Sequence, residues 1–354
     1  MASATIDQAK FEALFGKILS EIGGAASLLV AYVGDRLGLY RAMVAAGPAT
    51  SDAIAARAGI DARYMREWLS ANAAAGYVEF DEANQTFTLS PEAELIFAAD
   101  GDPRCLQGFI QALKSVYDDE EKSTEAIRTG TGVPWGDRSA GCFCGTDRFF
   151  RPGYAMNLVE SWIPALNGVR EKLEAGAKVA DIGCGHASST MLMAKAFPNS
   201  QFHGFDFHAP SIEAARAKAG AEGVGNASFE VASAKTYPGD GYDLVCIFDA
   251  LHDMGDPAGA ATHIRESLAP GGSFMVVEPL AGDRLSDNLH VLGQIFYSVS
   301  TLVCVPASKA QEVGRSLGAQ AGEAQLSAVL REGGFTDIRR AAQTETNMVL
   351  EARV

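Results

Sequence analysis

The chain has 354 residues, with 29 Lys and Arg against 44 Asp and Glu and a formal net charge of −15. That length predicts two or three domains, and the acidic balance argues against a nucleic-acid or anionic-membrane surface, because phosphates are held by Lys and Arg. Hydrophobic residues make up 47%, enough for a sizeable core, which excludes a generally disordered chain. No apolar run approaches the roughly 20 residues that span a bilayer, and Met1 to Phe11 lacks the basic-then-apolar pattern of a secretory leader. Six Cys are too sparse for a disulfide scaffold, which predicts a reducing, cytoplasmic setting. Cys142 and Cys144 form a lone C-x-C without a second ligand pair, so no metal is expected.

Residues 1–105 read as a mostly helical domain. Phe11, Leu14, Phe15, Ile18, Leu19 and Ile22 recur at helical spacing, and so do Leu28, Leu29, Tyr32, Val33, Leu37 and Tyr40. Two short helices follow. Thr50 or Ser51 is placed to cap the first and Asp61 the second, with Gly59 and Gly76 at their ends. Tyr77–Phe80 and Thr86–Leu89 then flank the polar stretch Asp81–Gln85, the pattern of a β-hairpin. Helix, turn, helix and hairpin make a winged helix-turn-helix. Residues 1–100 hold 7 basic and 13 acidic side chains, a net of −6. A DNA reader needs a basic stripe, so packing or dimerisation is the expected use.

Residues 106–165 read as irregular and aromatic, with Gly130, Gly132, Gly136, Gly141 and Gly145 breaking the stretch into loops. Trp135, Phe149, Tyr154 and Trp162 are candidate walls of an acceptor pocket or lid. Residues 166–354 alternate apolar runs with helical segments. Strands are predicted at Lys178–Ile182, Gln201–Phe205, Ser228–Val231, Tyr242–Phe248 and Ser273–Val277, with helices from Ser188, Ser211 and Pro257. That is an α/β fold with a parallel sheet covered on both faces. Two further strands, Phe335–Arg340 and Asn347–Arg353, are expected to run antiparallel.

The strongest chemical signal is Val179-Ala-Asp-Ile-Gly-Cys-Gly-His-Ala187. An apolar strand ends in Asp181, and Gly183 and Gly185 let the backbone approach a ligand where a Cβ would clash. Such a turn at the carboxyl edge of a parallel sheet is a nucleotide site. An acid two residues before the first glycine suits a cationic amino-acid ligand and is unsuited to a pyrophosphate. Asp206, 25 residues after Asp181, ends the next strand, where a carboxylate can accept both hydroxyls of a ribose.

In these motifs, in Tyr242–Asp249 and in Leu268–Pro279, the third stretch resembles a class I S-adenosylmethionine-dependent methyltransferase. With the winged helix before it, the chain is similar to small-molecule methyltransferases of the plant O-methyltransferase and mycobacterial Rv2258c-like type. The resemblance implies a Rossmann-like sheet at 166–354, a helical or looped lid at 106–165 and homodimerisation through 1–105. It further implies that Asp181, Gly183 and Gly185 line the methionine and ribose portion of S-adenosylmethionine, with Asp206 on the ribose. Phe207 would pack on adenine, Ala232, Ser233 and Ala234 would sit at its edge, and Phe248 and Asp249 would flank the sulfonium. Ala187 stands where many members have a third glycine, and Ser233 where many have Asp. Asp249-Ala-Leu-His-Asp-Met resembles the segment in which O-methyltransferases carry their base. His252 is the candidate base, with Glu278 orienting its imidazole. Asn288, Tyr297 and Thr301, in the segment after the fifth strand, are candidate acceptor contacts.

The expected function is O-methylation of a small molecule. Two alternatives stay open at this point. One is methyl transfer to a thiol or thioether, such as a methylthio-hydroxy acid, which needs little from a base. The other is a transcription regulator that senses S-adenosylmethionine.

Overall fold

A computed structural model describes residues 6–354; the first five, part of the stretch read for a leader, lie outside the described residues. The chain forms two compact units, one ending at Lys114 and one beginning at Ser115.

In the first unit a single helix, α1 (Gln8–Arg36), covers the ground where two were expected. Asp7 caps it by accepting the Ala9 and Lys10 N–H groups. Gly23 and Gly24 lie inside it: each costs about 1 kcal/mol relative to Ala, yet neither removes a helical hydrogen bond. Then come α2 (Leu39–Ala46), α3 (Ser51–Ala58) and α4 (Ala62–Ala74). Thr50 caps α3 and Asp61 caps α4, as their spacing predicted. The strands β1 (Glu79–Asp81) and β2 (Thr86–Thr88) pair antiparallel, and α5 (Pro91–Phe97) follows. Tyr40, Met43, Ile54, Met65 and Leu69 fill the core of this unit. At Gly34 a Cβ would come within 2.4 Å of the Trp68 ring, so α1 meets α4 only because the side chain is absent.

One face of α1 has no cover. Phe11, Leu14, Phe15, Ile18, Leu19 and Ile22 are each 44% to 60% exposed. By length and composition, α1 and the helical run 291–309 are both apolar enough to cross a membrane. Neither is an unbroken apolar run: α1 carries Lys10, Glu12, Lys17 and Glu21, and the second holds Gln294, Ser298, Ser300 and Thr301.

The stretch 106–165 is mostly helical, where its glycines were expected to break it into loops. It holds α6 (Gln107–Asp118), α7 (Glu120–Thr129), α8 (Ala140–Asn157) and a π-helical turn at Leu158–Trp162. Gly141 and Gly145 lie inside α8. Burial of Cys142, Gly145 and Tyr154 holds that helix against its low propensity.

After α9 (Val169–Ala175) the second unit builds a seven-stranded sheet from β3 (Lys178–Ile182), β4 (Gln201–Asp206), β5 (Ala227–Val231), β6 (Tyr242–Phe248), β7 (Leu268–Pro279), β8 (Asp337–Gln343) and β9 (Asn347–Arg353). The order is β5-β4-β3-β6-β7-β9-β8. All neighbours up to β7 are parallel, and β9 is antiparallel to both β7 and β8. The helices are α10 (Ser188–Ala196), α11 (Ala209–Glu222), α12 (Pro257–Ser267), α13 (Val291–Val299), α14 (Val305–Lys309) and α15 (Gly322–Glu332). Successive strand side chains point to opposite faces. Ala180, Val245, Ile247, Phe274 and Val276 therefore join one core with α12 and α15. Val179, Leu244, Cys246, Met275 and Val277 join the other with Leu158, Trp162 and Leu173.

Candidate active site

β3 delivers Asp181 to the sheet edge, and the chain turns through Gly183 and Gly185 into α10. These glycines take φ of 72° and 51°, a left-handed backbone that costs a glycine no Cβ clash. Ala187 takes φ of 62° without that freedom. Standing where many members have a third glycine, it holds roughly 1–2 kcal/mol of backbone strain. Asp181 is 1% exposed. Its Oδ2 accepts the hydroxyls of Ser189 (2.7 Å) and Thr190 (2.6 Å). Its Oδ1 is buried and has no partner, and burial pushes the carboxyl up to about 6.

Asp206 ties the end of β4 to this turn. Its Oδ2 accepts the Gly185 N–H at 2.9 Å and its Oδ1 the His208 N–H at 2.8 Å. Each oxygen keeps a second lone pair, and the residue lines a cavity of about 440 Å³. Gly183, Gly185, Phe207, Ala232, Ser233, Ala234, Phe248 and Asp249 line the same cavity. The Phe207 ring is 52% exposed. Ser233 Oγ accepts the Lys235 N–H at 3.1 Å.

Asp249 follows β6 with φ of 48°, a left-handed conformation at a non-glycine residue. Tyr154 O–H donates to its Oδ2 at 2.7 Å and Asn347 Nδ2 to its Oδ1 at 2.8 Å. Burial, with the Glu278 charge nearby, pushes this carboxyl up to about 7. Asn347, at the start of β9, carried no signal in the sequence.

His252 lies on a 3₁₀ turn, Leu251–Asp253, behind the cavity wall rather than on it. Its Nδ1 is 2.5 Å from Glu278 Oε2, and Glu278 Oε1 accepts the Leu251 N–H at 2.8 Å. Nε2 is 3.3 Å from Asp253 Oδ1. Burial alone would lower the imidazole pKa, but the carboxylates of Glu278 and Asp253 outweigh it and hold the ring well above its usual range. Asp253, which the sequence did not single out, is the member of this group on the wall.

Of the expected acceptor contacts, Trp135 and Tyr154 line the cavity, together with Phe143 and Phe150 of α8. Five others stand elsewhere. Trp162 is 2% exposed in the core beneath the sheet. Phe149 lies edge-on against Phe150 and off the wall. The Asn288 amide is spent on Gly282 and Arg284 of its own loop. The Thr301 hydroxyl donates to the Tyr297 backbone carbonyl at 2.8 Å, and neither residue lines the cavity. Carboxylates crowd the cavity: Asp147, Asp206, Asp249, Asp253, Asp256 and Glu312 all line it. Lys235, the lysine among these residues, is bound to Asp256 at 2.9 Å and Glu312 at 2.8 Å.

Residues 173–332 match a family described as a methyltransferase domain, and residues 24–98 match the Rv2258c-like winged HTH domain. The chain joins a winged helix-turn-helix domain to a class I methyltransferase domain. A mitomycin 7-O-methyltransferase structure superposes with a TM-score of 0.71 at 18% identity, covering 98% of this chain and 100% of that one. Human N-acetylserotonin methyltransferase, solved with S-adenosylmethionine, gives 0.72 at 16% identity, covering 100% and 99%. In sequence, the methyltransferase domain is 33% identical over 124 residues to trans-aconitate 2-methyltransferase of Methylobacterium radiotolerans, a match over 35% of this chain and 45% of that protein. The corresponding protein of Paracidovorax citrulli is 31% identical over 110 residues, or 31% and 42% of the two chains. The chain thus spans less than half the length of these curated relatives.

Proposed function

We propose that this protein transfers a methyl group from S-adenosylmethionine to the oxygen of a neutral, hydroxylated small molecule. The observation that carries the cofactor is the left-handed Gly183–Gly185 turn on the cavity wall beside Asp206, with the unpartnered Oδ1 of Asp181 buried behind that wall. A buried carboxylate oxygen without a donor is costly, and an ammonium group supplies the missing one. Gly183 and Gly185 leave open the space a Cβ would fill, and Asp206 offers its remaining lone pairs to a ribose diol. When bound, S-adenosylmethionine supplies an activated methyl group on a sulfonium. The chain then contributes proximity, orientation and a dry pocket.

Trp135, Phe143, Phe150 and Tyr154 hold the acceptor against the sheet edge. Tyr154 and Asn347 fix the Asp249 carboxylate beside Phe248. Glu278 holds Nδ1 of His252, which leaves Nε2 to take the acceptor's proton, with Asp253 at the wall carrying it across. The test is turnover of a panel of phenols and alcohols, with S-adenosylhomocysteine formation as the readout.

The acidic wall selects against carboxylates. Like charges brought together in a closed site cost several kcal/mol. Trans-aconitate and methylthio-hydroxy acids are therefore expected to be methylated at least about 100-fold less efficiently than a neutral phenol of similar size. Equal kcat/KM values would remove this argument.

The uncovered face of α1 is proposed to meet a second copy of the chain. A Leu14→Glu, Ile18→Glu double variant is expected to sediment as a monomer at concentrations where the parent sediments as a dimer. A monomeric parent would end that reading.

A further inference from the structure

Among the described residues, His252, Asp253 and Cys304 bring an imidazole nitrogen, a carboxylate oxygen and a thiol sulfur within 4.8 Å of one another. The first two come from the 3₁₀ turn after β6. The third comes from a π-helical turn, Ser300–Cys304, between α13 and α14, a local widening of the helix that is common at functional sites. Asp253 Oδ1 is buried and accepts no well-formed hydrogen bond, although it lies 3.3 Å from Nε2. That spacing matches the edge of a tetrahedron whose ligands stand about 2.0 Å from a zinc ion. Behind the ring, Glu278 holds Nδ1 at 2.5 Å, as an outer carboxylate commonly does for a metal-bound imidazole. Arg138 is 5% exposed and interacts with both Asp253 and Cys304. Its charge, with that of a divalent ion, balances two carboxylates and a thiolate.

We propose that His252 Nε2, Asp253 Oδ1 and Cys304 Sγ form a three-ligand site for a zinc-class divalent ion, its fourth position open toward the cavity that Asp253 lines. The ion takes the place of the Cys304 thiol proton and of any proton on Nε2, both of which leave to solvent. Nothing is oxidised or reduced. The site shares His252 with the base assigned above and in that respect rests on that reading. An Nε2 lone pair given to a metal accepts no proton from an acceptor, so zinc halts turnover.

The test is a cobalt(II) titration of the full-length protein after chelator treatment. A thiolate-to-cobalt charge-transfer band is expected in the near ultraviolet, saturating at one ion per chain and bleached by added zinc. Cys304→Ser removes the band, and Asp253→Asn weakens cobalt binding about tenfold or more. Cys144→Ser, at the exposed thiol, leaves the band intact. Far-ultraviolet circular dichroism identifies any variant that fails to fold. A wild-type protein without a band, or a folded Cys304→Ser protein that keeps it, overturns the site. Turnover in the same samples separates the two readings: a band together with zinc-insensitive turnover keeps the metal site and removes His252 as the base.

Discussion

Replacing His252 by Ala is expected to lower kcat roughly 100- to 10,000-fold, the usual worth of a positioned general base, while S-adenosylmethionine binds as before. The imidazole lies behind the cavity wall, bound to Glu278 and beside Asp253, neither of them proposed to hold the nucleoside. Its two carboxylate neighbours raise its pKa, which favours the protonated ring in the free protein. A cationic cofactor in the cavity works against that charge and returns Nε2 toward its basic form. Turnover should therefore climb with pH as the ring loses its proton, and the Ala variant should lose that slope with the rate. Glu278→Gln, which keeps a hydrogen-bond partner for Nδ1 and removes the charge, should fall between the two. Single-turnover rates and calorimetric affinities measured on one preparation separate chemistry from binding. A His252→Ala enzyme within a few fold of the parent would mean that the acceptor has no proton to lose, which points to a thioether.

Asp206→Ala should weaken S-adenosylmethionine and S-adenosylhomocysteine binding roughly 10- to 100-fold. Hydrogen bonds to a charged acceptor are worth about 1.5–3 kcal/mol, and each 1.4 kcal/mol is about tenfold in Kd. Part of the loss comes from freeing the Gly185 and His208 N–H groups that the carboxylate now holds. Asp206→Asn, which keeps one carbonyl acceptor, gauges that share. Asp181 adds a pH dependence. Its carboxyl is raised to about 6, so it is ionised above that value and neutral below it. A cationic ligand prefers the ionised form, and affinity should fall as pH drops through 6. Isothermal calorimetry at two pH values reads both effects. Absence of heat with the parent protein, or an Asp206→Ala protein that binds like the parent, would sink the cofactor assignment.

The parts of this site that lie close together in the chain could be read before folding. Asp181, Gly183 and Gly185 fall within five residues of one another, and β6 and β7 announce themselves as apolar runs because both their faces are buried. The parts that meet only in three dimensions could not. Asn347 reaches Asp249 across 98 residues, and Tyr154 reaches it across 95. Cys304, at the end of a π turn, comes close to His252 across about fifty residues of chain, which no spacing rule anticipates. Asn288 failed for the opposite reason: a buried amide looks the same in sequence whether it serves a ligand or its own loop. The glycines of 106–165 misled because a helix with enough buried surface tolerates them.

Ala187, in the turn after β3, and Asp249, after the neighbouring β6, each take a left-handed conformation that a side chain disfavours. Such backbone persists only where the surroundings over-determine it. The two loops that meet at the cavity are thus locked as the chain folds, and a ligand entering later finds them already ordered. Little entropy is lost in freezing them at the moment of association, so selectivity here comes from a rigid mould rather than from loops that close around whatever arrives.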